Sequence, residues 1–155
     1  MSLTTGSPAP DFSLQNQDGE TITLSQFKGD KTVVVYFYPK ALTPGCTMQA
    51  CGIRDIEKEL ADRNTIVLGL SPDPVSKLAK FREKHDLNFA LLADEDHAIA
   101  EAYGIWQLKK FMGKEYMGVV RTTFIVGVDG KIAKVMDDFK TKSHHETLLA
   151  VLDSL

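Results

Sequence analysis

The sequence predicts an α/β fold, in which a mixed central sheet is flanked by helices and preceded by an N-terminal β-hairpin. Two apolar segments typical of strands, 31–38 and 65–70, are each followed by a segment with helical periodicity. That order is typical of units whose strands pair in parallel through a right-handed crossover. Two Asp-Gly pairs, at 18–19 and 129–130, each join strand-like segments and predict antiparallel hairpins. A sheet that contains both kinds of pairing is mixed.

The first half of the chain alternates short strands and helices. Strands are predicted over 12–14 and 21–23, on either side of the first Asp-Gly turn. Segment 31–38 contains three consecutive valines followed by aromatic residues, a composition typical of a central strand that is buried on both faces. A helix is predicted over 46–63, because the spacing of Ile53, Ile56 and Leu60 places them on one helix face.

The second half continues with shorter elements. Pro74 is well placed to begin the helix that follows the strand over 65–70. Val75, Leu78 and Ala79 form the apolar face of that helix. The remaining predicted elements are a short helix (Ile99, Ala102, Tyr103), strands over 121–128 and 132–136, and a closing helix with an apolar stripe (Leu148, Val151, Leu152, Leu155). The stretch from Trp106 to Met117 is apolar but poorly patterned, and it could be core, substrate mouth or a partner contact.

Length and composition exclude several classes of protein. The chain of 155 residues fits a single domain over 1–155, and its 43% hydrophobic and 25% charged residues are typical of a globular protein. A net charge of −3 argues against nucleic acid or an anionic membrane as the main partner. The longest apolar or aromatic run, Val33–Tyr38, is too short to span a bilayer.

Cysteine content and the N-terminal segment bear on location. Two cysteines cannot form a disulfide-rich secreted scaffold, so we expect a cytoplasmic protein with reduced thiols. Segment 1–11 has neither a basic nor an apolar stretch, and we therefore expect no cleaved signal peptide.

Segment 38–51 is the most informative part of the sequence, because it joins a central strand to a helix. Ligands of open α/β sheets bind at that edge, beyond the carboxyl ends of the strands. Pro39 and Pro44 stiffen the turn, and Gly45 allows close approach of the backbone. Cys46 falls in the first helical turn, where free N–H groups and the helix dipole favour a thiolate over a thiol. This placement predicts a nucleophile, and the alternative is a small buried hydrophobic residue.

Cys51 follows five positions later and leaves several interpretations open. On an intact helix the two Cα atoms would be about 8–9 Å apart, beyond the ~4.4–6.8 Å that a disulfide spans. A zinc pair would need two further ligands, and none is nearby in the sequence. A thioredoxin-like reductant would use Cys-x₂-Cys spacing. Cys51 could instead be a core residue, or a resolving thiol that attacks oxidised Cys46 after the first helical turns unwind.

The motifs in this region resemble a known family. Pro39, Thr43 and Cys46 fit the Pro-x-x-x-Thr-x-x-Cys signature of peroxiredoxins in the AhpC/TSA family, and segment 38–51 is similar to the bacterioferritin-comigratory protein (BCP/PrxQ) subfamily. Other similar segments extend almost end to end: 9–12, 17–19, 92–97, 103–106, 121–124 and 129–130. The chain departs from many relatives at Leu42, where Asn is frequent, and at Gln49, where Glu is frequent.

The resemblance implies a thioredoxin-like fold and a thiol-dependent peroxidase that needs no metal, haem or other cofactor. Cys46 would attack a hydroperoxide and become a sulfenic acid. Thr43 would hydrogen-bond the thiolate or the peroxide, Arg121 would stabilise both, and Pro39 would shield the pocket. Cys51 would then form a disulfide with Cys46 as stretch 43–52 unfolds. Thioredoxin or a similar dithiol protein would reduce that disulfide, and the resemblance implies a monomer.

Other candidates are weighed and set aside. His144 and His145 suggest a metal pair, but adjacent residues on a helix point apart, and Ser143 is a plausible helix cap before them. Asp94 and Asp96 suggest calcium, yet the ligand pattern of a calcium loop is missing and a helix cap is the better interpretation. The competing function is a dithiol–disulfide exchanger or a non-catalytic thioredoxin-like binding protein.

Overall fold

The computed structural model of the protein describes residues 3–155. Its strands are β1 (Ser13–Gln15), β2 (Thr21–Thr23), β3 (Thr32–Phe37), β4 (Thr65–Ser71), β5 (Ala90–Ala93), β6 (Trp106–Phe111), β7 (Lys114–Val119), β8 (Thr122–Val126) and β9 (Ile132–Met136). Its α-helices are α1 (Pro44–Asp55), α2 (Glu57–Asp62), α3 (Val75–His85), α4 (Ala98–Ala102) and α5 (His144–Asp153). A short 3₁₀ turn, Leu24–Phe27, follows β2.

The central sheet is mixed, as the sequence predicts. Its strand order is β5-β4-β3-β8-β9. The β3–β4 and β4–β5 pairs are parallel, while β8 runs antiparallel to both β3 and β9. The β1–β2 hairpin forms at the predicted place, and it turns with Gly19 in the left-handed region at φ +78°.

Strand β3 lies at the centre of the sheet and is buried on both faces. Alternate side chains point to opposite faces, so Val34 and Tyr36 pack with α1, α3 and α5, while Val35 and Phe37 pack with α4 and the N-terminal segment. These four side chains are at most 1% exposed. The position after β3 is therefore held rigidly from both sides.

Several predicted boundaries are wrong. The helix expected over 46–63 begins at Pro44 and is divided at Ile56, whose N–H bonds to the Ile53 carbonyl in a tightened turn before α2 starts. Leu155 lies beyond α5 and is 61% exposed, so it does not belong to the apolar stripe of that helix. Strand β5 was not predicted from the sequence.

The apolar stretch from Trp106 to Met117 lies within the β6–β7 hairpin. The hairpin turns at Met112 and Gly113, both with positive φ, as the tight turns of two-residue hairpins require. Phe111 and Met112 are 65% and 87% exposed, so the tip of the hairpin is not core. A Met-Gly turn lacks the Asn or Asp that marks such turns in sequence, and this explains why the hairpin was missed.

The antiparallel pairing of β8 with β3 determines which residues meet at the end of β3. Phe37 pairs with Thr122, so the start of β8 lies beside the carboxyl end of β3. Arg121 immediately precedes β8 and thus lies next to the loop that leads into α1. Within residues 3–155, no helix has both the length and the apolarity needed to cross a membrane.

Candidate active site

The loop between β3 and α1 is held in one shape by a contact with Asp73, which follows β4. The buried N–H of Ala41 donates to the Asp73 carboxylate at 2.8 Å, and Lys77 pairs with the other oxygen of that carboxylate at 3.3 Å. Leu42 adopts the left-handed region at φ 68°, a conformation that is rare for a branched side chain. The surrounding structure must hold such a residue in place, so the loop is preorganised.

Cys46 lies in the first turn of α1 and is only 2% exposed. Helix N-termini carry N–H groups without intrahelical partners and a partial positive charge. The side chain of Thr43, the N-cap residue, does not accept a hydrogen bond from these groups. They therefore stay available to an anion or a polar ligand beside the sulfur.

Arg121 contacts Cys46 directly. Its Nη2 donates to the Cys46 Sγ at 3.4 Å, and its Nη1 donates to the Gln49 Oε1 at 2.7 Å. A guanidinium stays charged at any physiological pH and offers a planar set of donors. One donor is thus oriented by Gln49 while the other faces the sulfur, an arrangement that favours negative charge on Sγ.

Gln49 was noted in the sequence only as a departure from relatives. It is fully buried, one helical turn after Cys46, and its Nε2 has no hydrogen-bond partner among residues 3–155. Side chains three positions apart on a helix are neighbours, so this spacing could have identified Gln49. Because an amide is neutral, it orients the guanidinium without cancelling its charge.

Thr43 and Pro39 both lie in the loop between β3 and α1. The Thr43 hydroxyl donates to the Lys40 carbonyl at 2.7 Å, so its hydrogen is engaged within the loop. The oxygen keeps its lone pairs, which can accept a hydrogen bond from a ligand. Pro39 is half-buried directly after β3. Both residues border the loop as the sequence predicts.

Cys51 is half-buried on the same helix as Cys46, and both cysteines are free thiols in the described part of the chain. Their sulfurs therefore lie on one continuous helix, in which the ideal Cα separation of about 8–9 Å prevents a disulfide. A bond between them requires the helix to unwind.

Tyr36 and His144 are buried behind the site; from the sequence, Tyr36 was assigned no role and His144 was considered only as half of a metal pair. Burial raises the pKa of Tyr36 well above 10, and the neighbouring Tyr38, Cys46 and Cys51 add to the effect. Burial also lowers the pKa of His144 to about 4, with smaller effects from His145 and Arg121. Tyr36 therefore stays protonated and His144 stays neutral at pH 7. The His144 Nε2 lies 2.9 Å from the Thr123 Oγ1.

The structure thus brings Cys46, Arg121 and Thr43 to the carboxyl edge of β3, with Cys51 farther along α1. The N-cap residue of α4 is His97, not Asp94 or Asp96. Both carboxylates nevertheless accept from the first helical turn, Asp94 from the Ile99 and Ala100 N–H groups and Asp96 from that of Ala98. Among residues 3–155, no group of three or more His, Cys, Asp or Glu side chains converges on a point where it could hold a metal ion.

The chain is similar to known proteins over most of its length. Residues 5–135 match the model of the AhpC/TSA family. The chain is 54% identical to peroxiredoxin Bcp of Escherichia coli K12 over 147 residues, covering 95% of this chain and 94% of that protein. It is 44% identical to peroxiredoxin Bcp of Bacillus subtilis over 155 residues, covering 100% and 98%.

Solved structures agree with these matches. The crystal structure of peroxidoxin BcpB from Mycobacterium tuberculosis superposes with a TM-score of 0.87 at 38% identity, covering 99% of this chain and 98% of that one. A Xanthomonas campestris bacterioferritin comigratory protein, described with alkyl peroxide reduction activity, superposes with a TM-score of 0.89 at 28% identity, covering 97% and 98%. The predicted thioredoxin-like fold of the peroxiredoxin type is thereby confirmed.

Proposed function

Because the chain belongs to the AhpC/TSA family and is similar to the Bcp and PrxQ peroxiredoxins, we propose that Cys46 is its peroxidatic cysteine. Family membership makes the protein a thiol peroxidase. The proposal adds that it reduces hydrogen peroxide and organic hydroperoxides, that Cys51 resolves the oxidised Cys46, and that a thioredoxin-like dithiol protein restores the thiols. The observation that carries the proposal is the 3.4 Å contact between Arg121 and the Cys46 sulfur.

The first step is a displacement at oxygen. The Cys46 thiolate attacks the terminal oxygen of the hydroperoxide, so an S–O bond forms as the O–O bond breaks. Cys46 loses two electrons and becomes a sulfenic acid that keeps the hydroperoxide proton, while the departing oxygen takes a proton from solvent water and leaves as water or an alcohol. Negative charge moves from the sulfur to the departing oxygen, and fixed donors directed at that charge lower the barrier.

Each nearby group has a role in that step. The Arg121 guanidinium stabilises the thiolate before reaction and the oxygens during it. The Thr43 hydroxyl donates a hydrogen bond to the Lys40 carbonyl, so its oxygen accepts a hydrogen bond from the hydroperoxide O–H and orients the substrate. The free N–H groups at the start of α1 add positive potential. Pro39 excludes water from one side of the pocket.

The second step regenerates a reducible form. The Cys51 sulfur attacks the Cys46 sulfenic acid, the S–S bond forms as the S–O bond breaks, and water leaves with the thiol proton. Since the intact helix separates the two residues by about 8–9 Å, segment 43–52 must unwind first. A dithiol protein of the thioredoxin class then reduces the disulfide by thiol–disulfide exchange. A reductant of this kind supports a cytoplasmic location, and we propose that the enzyme acts as a monomer.

The test compares two single-cysteine variants with the parent protein. Peroxide consumption is followed with thioredoxin, its reductase and NADPH, and the thiols are characterised by mass spectrometry after one equivalent of peroxide. Cys46→Ser should abolish consumption. Cys51→Ser should consume one equivalent, retain a sulfenic acid on Cys46, and stop.

Three results would contradict the proposal. Full turnover by Cys46→Ser would remove that residue from the first step. Full thioredoxin-linked turnover by Cys51→Ser would remove the resolving role of Cys51. Reduction of insulin disulfides without peroxide consumption would favour the competing dithiol–disulfide exchanger.

A further inference from the structure

Helices α1 and α5 touch at a point where one side chain lies directly on the backbone of the other helix. A Cβ added to Gly52 of α1 would lie 2.5 Å from the His145 Nδ1 and 3.0 Å from its Cγ. Gly52 lies inside a regular helix and is not among the glycines with positive φ. Its backbone conformation therefore does not require glycine, and the close approach of the His145 ring does.

The His145 ring is held in place by its neighbour. His144 is fully buried, its Nε2 lies 2.9 Å from the Thr123 Oγ1 of β8, and its ring lies 4.5 Å from that of Phe139. The start of α5 is thus fixed to the central sheet. His145 itself keeps 24% of its side chain exposed, and its Nδ1 has no hydrogen-bond partner within the described chain. Its Nε2 lies 3.9 Å from the exposed Glu146 carboxylate, and the other side of the ring packs against Gly52.

This contact lies beside the residue that must move. Cys51 directly precedes Gly52, and segment 43–52 has to unwind before Cys51 reaches Cys46. Glycine favours unwinding because it is a poorer helix former than alanine, by a factor of about five in the helical equilibrium. The turn around Gly52 is therefore intrinsically weak, and the imidazole ring packed on it opposes its opening.

We propose that His145 is a positioning residue for the disulfide step: its ring holds the Cys51-bearing turn of α1 in the helical form. This inference rests on the proposed resolving role of Cys51. Removal of the ring shifts α1 towards the unwound form. Disulfide formation then becomes faster, while the reaction of Cys46 with peroxide, which needs the folded helix, does not gain. A role that is merely structural would slow both steps together.

The experiment compares His145→Ala with His145→Phe in the full chain. We expect hydrogen exchange of the amides at 49–54 in the reduced protein to rise about fivefold in His145→Ala, the size of one ordinary packing contact. After one equivalent of hydrogen peroxide, disulfide formation should accelerate by the same factor. With excess peroxide, the fraction of Cys46 oxidised further to sulfinic acid should fall. His145→Phe keeps a flat ring on Gly52 and should behave like the parent protein.

Gly52→Ala provides an independent test of the contact. Its Cβ displaces the His145 ring, so amide exchange at 49–54 should rise. Adding His145→Ala removes the clash and leaves only the better helix former, so exchange in the double variant should fall below that in His145→Ala. The two substitutions are therefore expected to be strongly non-additive. This cycle also decides the question if either single variant is too unstable for kinetic measurements.

The outcomes separate this inference from the proposed function. Unchanged exchange and unchanged disulfide formation in His145→Ala, in a parent protein that does form the Cys46–Cys51 disulfide, would overturn the inference alone. Additive effects of the two substitutions would do the same, and so would a His145→Phe variant that behaves like His145→Ala. If the parent forms no such disulfide, the proposed function fails, and amide exchange still shows whether His145 holds the turn.

Discussion

The buried imidazole of His144 makes the stability of the fold depend on pH. In the folded protein its pKa is about 4, because burial disfavours the charged ring, whereas the ordinary value is 6.5. Between these values the unfolded chain binds a proton that the folded chain does not. Stability is therefore fully present above pH 6.5 and is lost as pH falls towards 4, where the loss ends.

The size of the effect follows from the two pKa values. The gap between 6.5 and about 4 corresponds to about 3 kcal/mol in the free energy of unfolding. Little of this is screened by solvent, because His144 has no exposed surface. For a chain of this length the loss corresponds to a fall of about 6–12 °C in Tm.

The assay is thermal and urea unfolding of the reduced protein at several pH values from 7.5 to about 4.5. His144→Gln removes the titrating ring but keeps an amide within reach of Thr123, so its stability should fall much less over that range. Other titrating groups are common to both proteins and cancel in the difference. Thr123→Val is the matched control, because it removes the hydrogen bond but leaves the ring buried. Thr123→Val should be less stable than the parent protein at every pH, but its free energy of unfolding should fall with pH as steeply as that of the parent.

This reasoning would be refuted if the free energy of unfolding fell equally steeply with pH in the parent protein and in His144→Gln between pH 6.5 and 4.5. The ring would then carry no pH-dependent stability despite its burial. If Thr123→Val, like His144→Gln, lost the pH dependence of the free energy of unfolding, the hydrogen bond rather than burial would set the pKa of His144.

Three further outcomes are expected. Arg121→Ala should slow Cys46 oxidation about 10²–10³-fold. The oxidation rate of Arg121→Lys should lie between those of the parent protein and Arg121→Ala, because one ammonium cannot hold both Cys46 and Gln49. A change below threefold for Arg121→Ala in rapid-mixing peroxide assays would contradict this. Asp73→Ala leaves the buried Ala41 N–H unpaired and should cost about 1–3 kcal/mol in urea unfolding, whereas Asp73→Asn keeps an acceptor and should cost less. Asp94→Ala removes the acceptors of the Ile99 and Ala100 N–H groups, leaves the Asp96 contact with Ala98, and should cost about 2 kcal/mol; no change in Tm would exclude that role.

Local signals in the sequence were enough to place Cys46, the proposed nucleophile. A run of valines before a Pro- and Gly-rich turn specifies a buried strand that leads into a helix, and Cys46 falls at that junction. Arg121 was recognised through the family motif, and pairing of β8 with β3 then explains why it reaches the sulfur. Periodicity and turn chemistry carry this information because they act over a few residues.

Features that depend on distant contacts were not predictable in this way. Asp73 reaches Ala41 across 32 positions, and His145 reaches Gly52 through the packing of α5 on α1. Neither contact leaves a periodic signal, since each involves a single residue on each side. The break at Ile56 was missed for a related reason, because the apolar spacing continues through it while the backbone does not.

The 3.4 Å approach of Arg121 to Cys46 joins residues 75 positions apart, yet the register between β3 and β8 determines it. The β6–β7 hairpin lies within that interval as a separate two-stranded sheet with an exposed tip. Changes in the length of its tip leave the β3–β8 register untouched. The tip is therefore a place where an insertion, a tag or a reporter peptide can be introduced while the Cys46 sulfur and the Arg121 guanidinium stay in contact.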